Sequence, residues 1–271
     1  MKFSVLMSIY YKEQASYFDR CMQSIWDQQS IKPNEIILVE DGQLTDELYI
    51  IIDIWKKKIG NILKIIPLKE NVGLGDALNW GLQKCTYNLV ARMDTDDIAL
   101  SCRFEKQIKV FENYDIDICS SWVSEFDTDE NEIISYRRLP ESNDEITIYS
   151  KKRCPINHPA VMYKKAIIQD AGGYKKMMWF EDYYLWSRMI LNGAKFYNIQ
   201  EVLVNMRAGY GQLERRSGLQ YAISEASLQK EFLNSGFINY FEFIRNVIIR
   251  FTARVVPKFI IKLIYQKLRK S

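Results

Sequence analysis

Histidine is nearly missing from this chain of 271 residues, which has only His158. The five cysteines are odd in number and widely spaced, and the lack of a CxxC pair argues against a zinc site or a redox couple. A reducing cytosol is the simplest interpretation. No run of about 18 uncharged apolar residues occurs, so we expect no membrane-spanning helix. A GxxxxGK(S/T) phosphate loop is also missing, which excludes one large class of nucleotide-binding proteins.

Apolar residues make up 48% of the chain and charged residues 26%, a mixture typical of globular proteins. The net charge of +3 conceals an asymmetry, because residues 236–271 contain eight Lys or Arg and a single acid, Glu242. Subtracting the +7 of this segment leaves −4 for the first 235 residues. Nucleic acid is not expected as a partner of the basic segment, since no motif or fold supports it.

Strands and helices are predicted to alternate four times in the first 113 residues. Apolar runs predict strands at 3–10, 35–41, 62–67 and 87–93. Helical periodicity predicts helices at 15–29, 44–58, 74–84 and 102–113. This alternation with short connections favours a parallel, doubly wound α/β sheet. Ligands bind such a sheet at the carboxyl ends of its strands, which places Tyr10–Glu13, Asp41 and Asp94–Asp97 along one rim.

The second half of the chain is less regular. Strands are predicted near 116–123 and 131–138, and helical segments near 142–150 and 181–192. Long helices are predicted at 213–235 and 238–270, with Pro257 as a kink or a break. No internal repeat or low-complexity linker separates this half from the first.

The stretch ARMDTDDIAL, residues 91–100, has three carboxylates within four positions behind a predicted buried strand. Asp94 and Asp96 lie two residues apart, so in extended backbone their side chains point the same way. A divalent cation between them would relieve their repulsion and complete its shell with phosphate oxygens and water, as in a nucleotide-diphosphate site. The alternative is a solvated acidic turn in which Asp97 or Ser101 caps the next helix.

Two further stretches reach the same rim. In VEDGQLTDE, Asp41 ends the second strand, and its carboxylate either accepts the imide N–H of a uracil ring or marks the entry to a helix. In ENVGLGDALNWGL, Asn71, Gly73 and Gly75 precede a helix whose N-terminal amides could face an anion. These glycines do not form GxGxxG and would equally fit a tight loop.

Seven motifs follow one another along the chain: MSIYYKE, VEDGQLTDE, ENVGLGDALNWGL, ARMDTDDIALSCRFEKQI, NHPAVMYKK, GGY and FEDYYLWSRM. In this order they resemble the inverting family 2 glycosyltransferases, over residues 3–210. The chain is most similar to bacterial members that build O-antigen, capsule and exopolysaccharide units, amylovoran-type transferases among them. The resemblance implies a GT-A fold, an α/β architecture in which a Rossmann-like nucleotide-binding half is fused to an acceptor-binding half.

The resemblance also implies roles for residues of the rim. The nucleotide-binding residues would be Tyr10, Glu13, Asp41, Asn71 and Asp94. Asp94 and Asp96 would hold the Mn²⁺ or Mg²⁺ that bridges the diphosphate. The chain departs from the family's commoner R-x-H pattern after Arg207, which removes one histidine metal ligand.

An inverting transfer needs a general base that takes the proton of the acceptor hydroxyl. With one histidine in the chain, a carboxylate is expected. Asp182 matches the position of the base in the family's ED motif, and Glu181 would orient the site or contact the acceptor. The surrounding aromatic residues would raise a carboxylate pKa and suit a sugar. The alternative is that both acids only stabilise a helix start and the aromatic residues are core.

The remaining candidates concern the acceptor or the diphosphate. His158 is either a structural histidine or helps to place one of these groups. Arg207, with Arg215 and Arg216 nearby, could grip phosphate oxygens bidentately. Trp179 could stack on a sugar.

We therefore expect two parts, a GT-A domain at residues 1–212 and a basic, amphipathic helical extension at 213–271. The extension either lies in an anionic membrane interface or packs on the domain with its basic side in solvent, and it also allows a homodimer. The predicted function is metal-dependent transfer of a hexose, galactose or glucose, from a UDP-sugar to a polyprenyl-diphosphate-linked saccharide. The predicted location is peripheral, on the cytoplasmic face of the bacterial inner membrane.

Two other functions compete with this prediction. A sugar nucleotidyltransferase would share the architecture, but it should carry a glycine-rich loop after the first strand, and SIYYKEQAS has no glycine. A non-catalytic scaffold of a polysaccharide assembly complex would keep the fold without turnover. The presence of Asp94, Asp96 and Asp182 argues against it.

Overall fold

Nine strands form one mixed sheet in a computed structural model that describes residues 1–208 and 218–255. The first four strands are β1 (Phe3–Ile9), β2 (Glu35–Glu40), β3 (Leu63–Pro67) and β4 (Leu89–Arg92). They lie in the order β3-β2-β1-β4 and all pair in parallel. The predicted parallel sheet of the first half is therefore confirmed.

The second half adds antiparallel strands to this sheet. They are β5 (Ile98–Ala99), β6 (Ile118–Phe126), β7 (Ser135–Arg137), β8 (Met162–Lys164) and β9 (Phe196–Arg207). The order continues from β4 as β8-β6-β9-β5, with β7 paired to β6. β8 runs antiparallel to both β4 and β6, whereas the long β9 runs parallel to β6. The sequence patterns predicted β6 and β7 but missed β5, β8 and β9.

Helices cover both faces of the sheet. They are α1 (Ala15–Met22), α2 (Asp46–Ile59), α3 (Leu74–Lys84), α4 (Arg103–Asn113), α5 (Asn143–Ser150), α6 (Lys165–Asp170) and α7 (Glu181–Leu191). A π-helical turn at Gln23–Asp27 ends the predicted helix 15–29. Alternate side chains of β1 enter opposite cores: Val5 packs with Phe18 of α1 and Leu48 of α2, while Leu6 packs with Leu78 of α3 and Trp186 of α7. This two-sided covering is the doubly wound arrangement.

The chain forms two units, Met1–Lys176 with Glu181–Ala208, and Met177–Phe180 with Gly209–Ser271. The second unit contains α8 (Leu219–Asn234) and α9 (Tyr240–Val255), which pack on each other. No helix within the described residues is long and apolar enough to cross a membrane. The predicted boundary at residue 212, Arg215, Arg216 and the predicted helix beyond residue 255 lie outside the described residues.

Candidate active site

The acidic turn Asp94–Asp97 directly follows β4, at the carboxyl end of a central strand. Both guanidinium Nη atoms of the buried Arg92 donate to the carboxylate of Asp94. Asp97 is buried, and one of its oxygens accepts the backbone N–H of Arg207 at 2.8 Å. The helix-cap alternative for this turn is wrong, because α4 begins after Cys102 and no side chain caps it.

Two carboxylates of this turn, those of Asp96 and Asp97, have raised pKa values. Burial, with the charges of Asp94 and Glu13, raises the pKa of Asp96 to about 7. Burial and the charge of Asp96 raise the pKa of Asp97 well above its usual value, and its second oxygen has no hydrogen-bond partner among the residues that the structure describes. The turn thus concentrates negative charge that its protein neighbours only partly balance, and this is the setting in which a bound cation is favourable.

Two buried arginines lie beneath the turn and supply part of that balance. Arg103 of α4 donates from Nη2 to the main-chain carbonyl of Arg92 at 2.6 Å, and its Nε donates to Gln107 at 3.1 Å. Burial lowers the pKa of Arg103 to about 9. The Cys21 thiol donates to the carbonyl of Asp94 at 3.2 Å and fixes the turn from the α1 side. Sequence analysis missed these supports.

Glu13 reaches the acidic turn from the end of β1. Its carboxylate accepts the hydroxyl of Thr95 at 2.5 Å and the N–H of Gln14 at 2.8 Å. Burial and the charge of Asp94 raise the pKa of Glu13 above its usual value. Tyr10, on the same loop, is 40% exposed. Glu13 and the acidic turn are therefore adjacent, as the rim argument predicted.

Asp41 joins the end of β2 to the glycine loop that precedes α3. Its two carboxylate oxygens accept the backbone N–H groups of Val72, at 2.7 Å, and Gly73, at 3.1 Å. The amide of the exposed Asn71 donates to the carbonyl of Asp41 at 3.2 Å. Thr45, not Asp41, caps the next helix. Asp41 therefore shapes the loop that starts α3, and the helix-entry alternative is wrong.

The ED pair begins α7, in the same unit as the acidic turn. Asp182 accepts the N–H of Tyr183 at 2.7 Å, and the thiol of Cys154 lies 3.8 Å from its other oxygen. Glu181 lies over the first turn of α3, since a Cβ added at Gly75 would be 3.5 Å from its Cγ. Burial, with the neighbouring Asp182, raises the pKa of Glu181.

His158 contacts Tyr174, a buried residue whose pKa is affected by both the ED pair and the acidic turn. The His158 Nε2 lies 2.9 Å from the hydroxyl of Tyr174, and burial with the Arg92 cation holds the pKa of His158 well below its usual value. Burial raises the pKa of Tyr174, and Asp182 and Asp94 raise it further. The Tyr174 hydroxyl, which contacts His158, is therefore influenced by the charges of both acidic sites. The motif GGY was the sequence signal for Tyr174.

Arg207, at the end of β9, is held by main-chain carbonyls. Its Nε donates to the carbonyl of Asp96 at 3.2 Å, and its Nη1 donates to that of Asp127 at 2.9 Å. The guanidinium lies over the ring of Tyr17 at 3.6 Å and that of Phe126 at 4.5 Å. In this arrangement Arg207 supports the acidic turn, and its contact with a diphosphate stays a prediction.

Trp179 belongs to the second unit, where its ring lies 5.3 Å from that of Tyr221. It has a positive φ of 67°, a backbone conformation that is rare for residues with a side chain. Its side chain is 42% exposed. The predicted contact of Trp179 with a sugar stays a prediction.

The chemistry of the acidic turn fits a divalent cation. Asp94 and Asp96 offer the carboxylate oxygens that Mg²⁺ and Mn²⁺ prefer. Burial, with the charges of Asp94 and Glu13, raises the pKa of Asp96, and the second oxygen of Asp97 has no hydrogen-bond partner among residues 1–208 and 218–255. Residues 1–208 and 218–255 contain no group of three or more His, Cys, Asp or Glu that could hold a metal by themselves. Phosphate oxygens and water would have to complete the shell.

The profile of the family described as "Glycosyl transferase family 2" matches residues 4–170, more than half of the chain. The chain belongs to this family. It is similar to the Escherichia coli UDP-Gal:alpha-D-GlcNAc-diphosphoundecaprenol beta-1,3-galactosyltransferase, with 41% identity over 98% of this chain and 96% of the relative. It is also similar to the amylovoran biosynthesis glycosyltransferase AmsE of Erwinia amylovora, with 38% identity over 99% and 100%. As a family 2 member the chain is a glycosyltransferase.

Solved structures of glycosyltransferases share the fold. S. aureus TarS 1–349 in complex with UDP-GlcNAc has a TM-score of 0.68 at 18% identity, covering 93% of this chain and 73% of TarS. The mannosyltransferase PcManGT of Pyrobaculum calidifontis, in complex with GDP-Man and Mn²⁺, has a TM-score of 0.66 at 15% identity, covering 93% and 69%. The predicted family and GT-A fold are thus confirmed.

Proposed function

We propose that this family 2 enzyme transfers galactose from UDP-galactose, with inversion, to a polyprenyl-diphosphate-linked saccharide that begins with GlcNAc, in the synthesis of a surface polysaccharide. The observation that carries the donor and the acceptor is the 41% identity, over nearly the whole of both chains, with the E. coli galactosyltransferase. Of the two hexoses expected from the sequence, galactose is therefore favoured over glucose. The enzyme would work at the cytoplasmic face of the inner membrane, where a lipid-linked acceptor is found.

The donor side of the proposed reaction uses the rim of the parallel strands. Asp94 and Asp96 would hold Mn²⁺ or Mg²⁺, which when bound neutralises charge on the diphosphate as it leaves. Glu13, Tyr10, Asp41 and Asn71 would contact the nucleoside. Within the described part of the chain, each oxygen of Asp41 accepts one hydrogen bond, from Val72 and from Gly73. Lone pairs are left for a uracil N–H.

The acceptor side uses the start of α7. Asp182 would accept the proton of the acceptor hydroxyl while the oxygen of that hydroxyl forms a bond to the anomeric carbon of galactose. The bond from that carbon to the diphosphate oxygen breaks at the same time, and UDP carries away the electron pair. Attack opposite the leaving group inverts the anomeric carbon. Glu181, which lies beside Gly75 at the start of α3, would contact or orient the acceptor.

The test is the release of nucleoside diphosphate by the purified full chain, with UDP-galactose, UDP-glucose, UDP-GlcNAc and GDP-mannose as donors. The acceptor is GlcNAc-α-diphosphate on a short, water-soluble lipid, in Mn²⁺ or in EDTA. We expect acceptor-dependent release with UDP-galactose only, lost in EDTA and restored by Mn²⁺. Preference for another donor would overturn the choice of galactose. Calorimetric UDP binding without turnover on any donor would instead support the scaffold alternative.

A further inference from the structure

The helix α9 makes polar contacts with α8. The amide of the buried Asn246 donates to Gln229 of α8 at 2.8 Å, and Arg250 pairs with the buried Glu225 of α8. Surface helices normally place an apolar stripe inward and polar residues outward. In α9 these polar contacts lie within the helix pair.

The outward side of α9 is apolar. Phe241 is 83% exposed, Ile248 and Ile249 are each 61% exposed, and Ile244 is 38% exposed. Spacings of three and four residues put Phe241, Ile244 and Ile248 on one stripe of the helix. Single exposed apolar residues are normal, but a stripe of large ones marks an interaction surface. We call Phe241, Ile244, Ile248 and Ile249 the outer stripe.

The sequence segment that contains the outer stripe is strongly basic. Arg245 is also exposed and follows Phe241 by four residues, on the same side of α9. The one acid of residues 236–271, Glu242, accepts the N–H of Asn239 at 2.9 Å in the cap of the helix. The segment holds eight Lys or Arg, so its net charge is +7. An apolar stripe within a strongly basic segment is the combination that binds the interface of an anionic bilayer.

We propose that the outer stripe of α9 inserts into the surface of an anionic lipid bilayer and holds the enzyme there. A second copy of the chain is a poorer occupant, because two segments that each carry a net charge of +7 would repel one another. The proposal rests on the proposed function in one respect, since a lipid-diphosphate acceptor lies at such a surface. Binding of the bilayer does not itself require turnover, so the two can fail separately.

The test compares two double variants that remove matched pairs of exposed isoleucines. Ile244→Ser with Ile248→Ser alters the outer stripe. Ile50→Ser with Ile54→Ser is the control, because these α2 residues have the same spacing and are 58% and 50% exposed. Flotation with mixed phosphatidylglycerol–phosphatidylcholine vesicles measures binding. We expect the stripe variant to bind at least about tenfold more weakly, since binding scales with buried apolar area, while the control binds like the unaltered chain.

Three further readouts make the result decisive. Binding should weaken in phosphatidylcholine alone and at high salt, because part of the attraction is electrostatic. Turnover of the water-soluble acceptor should be equal in all three proteins, which separates this proposal from the reaction itself. Light scattering should give the same mass for each. Equal vesicle binding by the stripe variant would overturn the proposal, and so would a dimer that this variant dissociates.

Discussion

Arg92 and Asp94 form a bidentate ion pair at the end of β4. The pair joins a buried residue of the core to a residue of the rim. The Arg92 side chain is 2% exposed and that of Asp94 is 34% exposed. Two parallel N–H···O bonds fix the carboxylate in one orientation, a property of arginine that lysine does not share. The pair therefore both positions a proposed metal ligand and balances part of the charge of the acidic turn.

Replacing Arg92 by Gln should lower stability and turnover together. The loss of a buried partner leaves Asp94 beside Asp96 and Asp97 without compensation, and we expect a cost of about 3 kcal/mol in the free energy of unfolding. Urea unfolding measures it. Arg20→Gln is the control, because Arg20 also binds a carboxylate, Glu130, through two nitrogens, but its own side chain is 26% exposed. It should cost at most about 1 kcal/mol, and equal losses would contradict the positioning role.

Asp182→Asn should lower kcat by about 10²- to 10⁴-fold while the KM for the donor sugar changes little, because the amide cannot take up the acceptor proton. Steady-state kinetics with the water-soluble acceptor measures both constants. Glu181→Gln tests the neighbouring acid and should affect mainly the KM for the acceptor. The assignment of the base would be reversed if the Glu181 variant lost kcat and the Asp182 variant kept it.

Much of the rim could be predicted because it depends on local patterns. The apolar runs of β1, β2 and β4 and the residues that follow each of them are contiguous in sequence, and parallel strands bring their carboxyl ends together. The carboxylate of Glu13 accepts the hydroxyl of Thr95 in the acidic turn, and the charge of Asp94 raises the pKa of Glu13. The two segments are therefore in contact, as this argument requires. The motif order then placed the chain in its family, which the profile match confirms.

The parts that sequence analysis missed depend on long-range contacts. β9 pairs with β6, about 80 residues earlier, through two register shifts near Trp122, and no local pattern encodes such a pairing. At the end of β9, the backbone N–H of Arg207 donates to the carboxylate of Asp97, which lies 110 residues earlier in the chain. Arg92 was overlooked because an arginine inside an apolar run is normally an exposed strand residue. Only the depth of the strand shows that its charge must be paired.

Asp96→Asn should abolish Mn²⁺-dependent turnover without unfolding the protein. The amide keeps the size of the side chain but removes the negative charge that a cation needs, and it also ends the repulsion by Asp94 and Glu13. We expect the melting temperature to stay the same or rise. Titration of Mn²⁺ followed by donor turnover measures the effect. Unchanged turnover at equal Mn²⁺ would refute the metal assignment.

Gly42→Ala should disrupt the contact between the β2 end and the glycine loop. Gly42 has a positive φ of 84°, and an added Cβ would be 2.8 Å from the backbone nitrogen of Asn71. The control is Gly60→Ala, where φ is also positive but nothing lies within 4 Å. Gly60→Ala should cost only the conformational strain of about 1–2 kcal/mol. Gly42→Ala should cost more in urea unfolding and weaken UDP binding, and equal costs would contradict the close approach.

Because of His158, the free energy of unfolding should decrease as the pH falls below the usual pKa of a histidine. Burial and the Arg92 cation hold the pKa of His158 well below 6.5, so the imidazole is neutral in the folded chain. The unfolded chain binds that proton near pH 6.5. Below this pH the unfolded state therefore holds more protons, and falling pH favours unfolding.

The measurement is the free energy of unfolding of the unaltered chain and of His158→Gln, from urea titrations between neutral and mildly acidic pH. The carboxylates titrate in both proteins, so their difference isolates His158. The glutamine can still reach the Tyr174 hydroxyl that lies 2.9 Å from the imidazole, but it cannot bind a proton. We expect the stability of the unaltered chain, relative to the variant, to fall by up to about 1.4 kcal/mol per pH unit below the unfolded pKa. A constant difference across this range would mean that the imidazole is protonated in the folded chain, where it would repel Arg92.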